Sequence, residues 1–429
     1  MMGEQIASVK QQSGDLERLL HPNEAREIVL SRARPLPVER VPIADAGWRV
    51  LAEDVVSDED HPPFPAATMD GYAVVAGDGS PWREVIGKQT AGFVLDLEVT
   101  PGTAVQITTG APVPLGATAV VRVENTEPSE DHVIIKQEDV AEGENIRPIG
   151  FDLKHGERVL AAGTVLGPAE VGLLAGLGVT PVPVRRRPRV SVLSTGDELV
   201  EPGEPAGPGQ IRDSNRFSLV TALKGAGTDV VWSGKGPDER DALERVMRER
   251  IAESDIVVTS GGVSMGELDL IKAILGDLAT VYFRRVFMKP GKPLNFATAG
   301  DTLLFGLPGN PVSAIVSFEL FIRPALAVMA GKDPDKSSIV PVTLLHDTPP
   351  TDRIEYQRAI VSVDANAQLI AKTTGGQASS RLASFLGANA FLVIPPRAGI
   401  YRAGEQVQAI LIAPPQTSAG TSSSAEEKT

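Results

Sequence analysis

The chain has no cysteine. Disulfide frameworks and thiolate metal sites are therefore excluded. A metal must be handled as an oxyanion or through oxygen and nitrogen ligands. Histidine is almost as scarce, and its five copies show no metal-ligand spacing. Aromatic residues make up 4% of the chain, so cores must lean on Val, Leu, Ile and Ala. No apolar run approaches the ~20 residues that a bilayer span needs. The opening segment MMGEQIASVKQQSGDLERLL lacks the apolar stretch of a signal peptide. The expectation is a cytoplasmic protein without a membrane partner. An excess of positive charge is missing too, since the net charge is −14. That argues against a nucleic-acid binder, because phosphate backbones need a basic footprint. It still permits one basic cleft that holds a small anion.

What is present is a chain of 429 residues, 42% hydrophobic and 22% charged, with 42 Gly and 34 Pro. At roughly 100–200 residues per domain, two to four domains are expected. Residues 1–14 and 416–429 are polar and read as disordered. A helix is expected from Pro22, ending before Pro35. Residues 41–147 carry short Val/Ile runs such as AVQITTG, AVVRVEN and HVIIKQ, the pattern of a β-rich insertion. From Pro188 the pattern becomes strand–helix alternation, which implies a central parallel α/β sheet with helices on both faces. From about Ser338 to Ala413 short strands return, a separate C-terminal β domain.

The chemistry-bearing segments cluster in the α/β stretch. Thr259-Ser260-Gly261-Gly262-Val263-Ser264-Met265-Gly266 follows a strand and opens a helix, where free N–H groups favour an anion. Asp269 falls in the first turn of that helix, either complementing its dipole or facing the site to hold Mg²⁺ or a substrate. Met288-Lys289-Pro290-Gly291-Lys292-Pro293 sets two lysines on a rigid turn, a clamp for a doubly charged oxyanion. Gly306-Leu307-Pro308-Gly309-Asn310-Pro311-Val312-Ser313 joins another strand to a helix, with Pro311 suited to its first position. Leu193-Ser194-Thr195-Gly196-Asp197-Glu198-Leu199 ends the first strand of the array, and ligands bind at the carboxyl ends of such strands. In the Gln210–Arg216 segment, Asp213 or Ser214 is a candidate helix cap. The glycine turns and acidic loops alone read as ordinary turns or caps, whereas the lysine turn, with Arg284 and Arg285 upstream in an acidic chain, favours the functional reading. Phosphate, oxyanion and Mg²⁺ would account for them together.

Together, TSGGVSMGELD, FMKPGKP, GLPGNPVS, STGDELVEP, QIRDSNR and ENIRPIGFD resemble the molybdenum insertase family. That family comprises bacterial MoeA, the gephyrin E domain and the plant E domain. PPFPAATMDGYAV looks like its eukaryotic branch; Pro65-Ala66-Ala67 stands where bacterial members usually carry Asp-Asn-Ser, so nothing is carried over there. The resemblance implies a linking domain (15–45 with 148–186), a β-rich domain (46–147), a MogA-like α/β domain (187–334) and a C-terminal barrel-like β domain (335–415). It implies a molybdopterin molybdotransferase that takes molybdate and adenylylated molybdopterin. Mg²⁺-dependent hydrolysis of the adenylate would give molybdenum cofactor and AMP.

The resemblance also assigns residues. Lys289, Lys292, Ser313, Arg358 and Ser384 match those that hold molybdate. Asp269, Asp238 and Glu198 match acidic residues near substrate and metal, and with Lys292 they form the expected catalytic set. Thr195, Gly196, Asp197, Ser260, Gly261, Gly262, Ser264, Gly266, Pro308, Gly309 and Asn310 are the expected cofactor-binding set. Thr109 and Asp152 match further cleft positions. The usual His beside Arg358 is Gln357 here. The family implies an elongated homodimer and a separate adenylyltransferase of the G-domain type as partner. Two other readings stand beside this one. Tungstate has nearly the size and charge of molybdate. A receptor scaffold is the rival class, but the aromatic that relatives use for the receptor tail falls near Arg26.

Overall fold

The structure is a computed structural model that describes residue 16 and residues 18–262, 270–334 and 339–417. Its contacts separate into two compact units. One comprises residues 1–41, 48–52 and 183–429; the other comprises residues 42–47 and 53–182.

The smaller unit carries the β-rich insertion. Its six-stranded sheet runs in the order Ala119–Arg122, Gly71–Val74, Thr103–Ile107, Trp82–Gln89, His132–Ile135, Thr126–Pro128. The runs AVQITTG, AVVRVEN and HVIIKQ supply three of these strands, as expected. Strand alternation sends Ala73, Val105 and Val120 to one face and Tyr72, Ala104 and Val121 to the other. Each face has its own small aliphatic core. Thr109 and Asp152 both belong to this unit. The backbone N–H and hydroxyl of Thr109 both donate to Asp70 Oδ1, at 2.7 and 2.8 Å.

The larger unit holds the α/β array. Its elements are β1 (Arg189–Ser194), α1 (Asn215–Gly225), β2 (Asp229–Lys235), α2 (Arg240–Glu253), β3 (Ile256–Ser260) and α3 (Leu270–Leu278). Then follow β4 (Thr280–Arg285), β5 (Pro293–Ala299), β6 (Thr302–Leu307) and α4 (Pro311–Ser317). The sheet order is β2-β1-β3-β6-β5-β4. The first four strands are parallel, as the alternation implied. β5 runs antiparallel to both β6 and β4, and β4 and β5 form a hairpin-like edge, a pair the sequence pattern did not separate from the lysine turn between them. Val190, Val192 and Val258 face one layer, and Leu193 and Val257 face the other.

Helix α4 continues through a π turn at Phe318–Ile322 into Arg323–Met329. By length and composition this stretch is apolar enough to cross a bilayer, contrary to the expectation that no segment comes close. Its apolarity is explained by burial: Val316, Phe318, Phe321, Ile322 and Leu326 are core residues of the α/β layer. The expected helix at Pro22–Arg32 packs Ala25 and Val29 into the same core.

The C-terminal strands are β7 (Ile339–Leu344), β8 (Ile354–Val363), β9 (Leu369–Thr373), β10 (Ala390–Ile394) and β11 (Gln406–Leu411). They pair β8-β9-β7-β11-β10, and β10 returns to β8. The result is a closed five-stranded barrel, which leaves no open edge in that ring.

Candidate active site

Three of the Gly/Pro turns converge because their strands are parallel neighbours. Ser194 is in register with Ser260, and Ser260 with Leu307. The turns that follow β1, β3 and β6 therefore leave the sheet at one edge. They line a cavity of about 610 Å³. Its walls include Thr195, Gly196, Asp197, Glu198, Asp238, Gly261, Gly262, Pro308, Gly309 and Asn310. Ser260 lines an adjoining cavity of about 330 Å³, which shares Thr195, Glu198, Gly261, Gly309 and Asn310 with the first. Nine members of the expected cofactor-binding set are thus brought together. Ser264, Gly266 and Asp269 lie outside the described residues.

Close backbone approach explains one glycine directly. Gly261 has φ +90°, and a Cβ there would stand 2.5 Å from the Thr195 carbonyl oxygen. No side chain fits between these strand ends. Several polar side chains at or near these strand ends lack partners. The hydroxyls of Ser194, Thr195 and Thr259 and the Asn215 side-chain oxygen are buried with no hydrogen-bond partner among the described residues. Asn215 uses its amide NH₂ to bridge Ser260 Oγ at 2.8 Å and the Gly309 carbonyl at 2.7 Å. Of these, Thr195 and Asn215 line the cavities, where a polar ligand would complete their hydrogen bonds.

The acidic side of the cavity follows from equal offsets. Asp197 lies three residues beyond Ser194, Asp238 lies three beyond Lys235, and these strand ends are paired. The Asp238 carboxyl is held above the usual carboxylate range, first by its hydrogen bond to Asp197, then by burial and the Asp197 charge. Glu198 adds to the rise and Lys235, 4.0 Å away, opposes it. Two carboxyls sharing a proton behave this way. The family resemblance groups Asp238 with Glu198 and Asp269; the structure makes Asp197 its direct partner. Among the described residues no group of three His, Asp or Glu side chains is arranged to hold a metal alone.

The loop carrying Asp197 and Glu198 is pinned at its far end. Asp213 accepts from the Arg216 backbone N–H at 3.1 Å and from its Nε at 2.9 Å. Asp213 thus does the capping work, while Ser214 occupies the cap position without a side-chain bond. The Arg216 guanidinium also donates to Glu201.

The expected oxyanion residues lie on other elements of the same unit. Lys292 precedes Pro293, which lines the larger cavity. It makes no ion pair among the described residues. Lys289 pairs with Glu355 at 3.1 Å. Arg358 is fully buried, and its Nε donates to Ser384 Oγ at 2.9 Å. Burial pushes the Arg358 guanidinium down to about 10, with the Glu355 charge opposing. The barrel loop around Arg358 docks on the fourth α/β helix, because the Val312 N–H donates to the Ser379 carbonyl at 3.1 Å. Ser313, the next residue of α4, is buried. Lys289, Lys292, Ser313, Arg358 and Ser384 line neither cavity. Glu355 carries no sequence signature, since a carboxylate in a strand run has no motif.

The β-rich unit, the α/β array and the closed barrel each fall within a region that matches a known family. Residues 20–178 match the MoeA N-terminal region (domain I and II). Residues 191–328 match a probable molybdopterin binding domain, and residues 341–412 match the MoeA C-terminal region (domain IV). The chain is 37% identical over 380 residues to a molybdopterin molybdenumtransferase of Haemophilus influenzae, covering 87% of this chain and 93% of that protein. It is 36% identical to gephyrin of Dictyostelium discoideum, covering 91% of this chain and 62% of that one. A crystal structure of the molybdopterin biosynthesis MoeA protein of Pyrococcus horikoshii superposes with a TM-score of 0.79 at 30% identity, covering 92% and 100% of the two chains. The chain belongs to the MoeA family of molybdopterin molybdenumtransferases.

Proposed function

We propose that the protein inserts molybdate into adenylylated molybdopterin and hydrolyses the adenylate, releasing AMP and molybdenum cofactor. The observation that carries this reading is the cavity itself. Three glycine-bearing turns and the unsatisfied Thr195 hydroxyl line it, a carboxyl pair stands on one wall, and Lys292 directly precedes its lining residue Pro293. The glycine turns suit a phosphorylated ligand. Lysine and arginine donors suit a tetrahedral dianion. With no cysteine in the chain, the thiolate sulfurs that receive the metal belong to the substrate.

Asp197, Asp238 and Glu198 offer hard carboxylate oxygens whose mutual repulsion a divalent cation would relieve. These residues fit Mg²⁺, which commonly uses one or two carboxylates together with substrate phosphates. When bound, Mg²⁺ would neutralise charge developing on the phosphoanhydride. The chain's own residues orient the phosphate, hold the oxyanion and exclude bulk water from the cavity floor. The same reading includes a cytoplasmic homodimer and a separate adenylyltransferase that supplies the substrate.

The direct assay supplies adenylylated molybdopterin, molybdate and Mg²⁺ to the purified protein. AMP and cofactor that activates an apo-molybdoenzyme are expected. Formation of neither product would remove the assignment.

A further inference from the structure

The barrel interior is lined by Val342, Leu344, Ala359, Val361, Leu392 and Ile394. Along β8, Ala359 and Val361 face that interior, while Ile354 and Tyr356 pack with the α/β core. By strand alternation Glu355 and Gln357 share the interior face. Glu355 is only 3% exposed. A carboxylate buried in an aliphatic barrel is strongly disfavoured unless a cation and hydrogen bonds compensate it. Both compensations are present. Lys289 Nζ stands 3.1 Å from one carboxylate oxygen, and Gln357 Nε2 donates to the other at 3.1 Å.

The same contact is reinforced by the main chain. Met288 and Lys289 form a short strand parallel to the start of β8, with Lys289 in register with Glu355. The lysine turn is therefore stitched to the barrel by backbone and side chain. The Lys289 side chain remains 42% exposed against 4% for Glu355, so the ammonium stands at the barrel mouth. One donor is committed to Glu355, which leaves two others for a ligand. The turn then continues through Pro290 and Gly291 to Lys292.

We infer that Glu355 is a positioning residue of the oxyanion site, anchoring Lys289 at the barrel mouth and with it the turn that presents Lys292. Glu355 touches no reacting atom. It acts through Lys289, and its charge also favours the protonated form of Arg358. This role rests on the molybdate-insertion reading.

The sign of the effect separates positioning from plain electrostatics. Deleting a negative charge near an anion site should tighten anion binding. Loss of positioning should weaken it. The probe is sodium molybdate, titrated calorimetrically into the full-length protein. Glu355→Gln, which keeps shape and removes charge, is expected to weaken molybdate binding about fivefold or more. Lys289→Met should weaken it comparably, and the double variant should be no weaker than Lys289→Met alone. Glu355→Asp, which keeps the charge on a shorter arm, should fall between Gln and wild type. In the turnover assay Glu355→Gln should raise the half-saturating molybdate concentration by a larger factor than it lowers the saturated rate. Unchanged or tighter molybdate binding in the Gln and Asp variants overturns the inference, as do losses that multiply in the double variant. A wild-type protein that neither binds molybdate nor releases AMP defeats the insertion reading itself.

Discussion

Arg358 Nε donates to Ser384 Oγ at 2.9 Å, joining two residues from different segments of the barrel. The Arg358 Nη2 also reaches the carbonyls of Gly376 and Ala378, at 3.4 and 3.2 Å. The fork shape of the guanidinium serves all three acceptors, which one ammonium cannot do. Arg358→Lys is expected to lower unfolding free energy by about 1–3 kcal/mol, because buried acceptors lose their donor. It should also weaken molybdate binding. Urea denaturation and molybdate titration check the two effects; wild-type values in both would show that the fork is dispensable.

The Asp197–Asp238 pair sets a pH dependence with a definite sign. The Asp238 pKa in the folded protein lies above its ordinary value of 3.8. The folded state therefore holds that proton more tightly than the unfolded chain does. The resulting stabilisation is complete below 3.8 and is lost as pH rises through the folded-state value. As that proton is lost, negative charge builds on the acidic side of the cavity. Asp238→Asn should raise the melting temperature at neutral pH and flatten its decline with rising pH. Added Mg²⁺ should raise the wild-type melting temperature more than that of the variant. Melting curves across the acidic to neutral range decide this. A variant that melts lower at neutral pH with an unchanged slope would contradict it.

Much of this pair was written in the chain, but not its pairing. STGDELVEP and the segment after Lys235 each mark a strand end, since Gly and Pro punctuate both. That Asp197 meets Asp238 depends on β1 and β2 being adjacent, which is a property of sheet order. The same limit hid the antiparallel pair β4–β5. Its connecting turn carries both lysines, so it read as a ligand loop rather than as the bend of a hairpin. Glu355 was invisible for another reason. Its burial follows from barrel closure by the β8–β10 pairing, and no local spacing encodes that. The glycine turns were legible because close backbone approach leaves few residue choices.

Gly291 is the hinge of the lysine turn. Its φ is +100°, and a Cβ there would lie 2.4 Å from Met288 Cε and 3.2 Å from Ser317 Oγ. The methionine tip can swing away, but the backbone strain cannot be relieved that way. Gly291→Ala is expected to cost about 1–3 kcal/mol of stability. Adding Met288→Ala should not restore molybdate binding, since the strain displaces Lys292 rather than merely crowding Met288. Recovery of affinity in that double variant would show that the clash, not the turn conformation, mattered.

Lys292 is the clearest test of which lysine meets the oxyanion. Lys289 already has a carboxylate partner in Glu355, so its removal disturbs the barrel as well as the site. Lys292 has no ion pair among the described residues and is half-buried beside the cavity-lining Pro293. Replacing it with Met keeps the aliphatic stem packed and removes only the charge. Folding stability should therefore change little, within about 0.5 kcal/mol. Molybdate affinity should fall about tenfold or more, the loss of one charge-assisted contact to a dianion. The AMP-forming rate at low molybdate should fall in parallel. If calorimetry instead finds wild-type affinity in Lys292→Met and a large loss in Lys289→Met, the Glu355-anchored lysine carries the anion and Lys292 leaves the site.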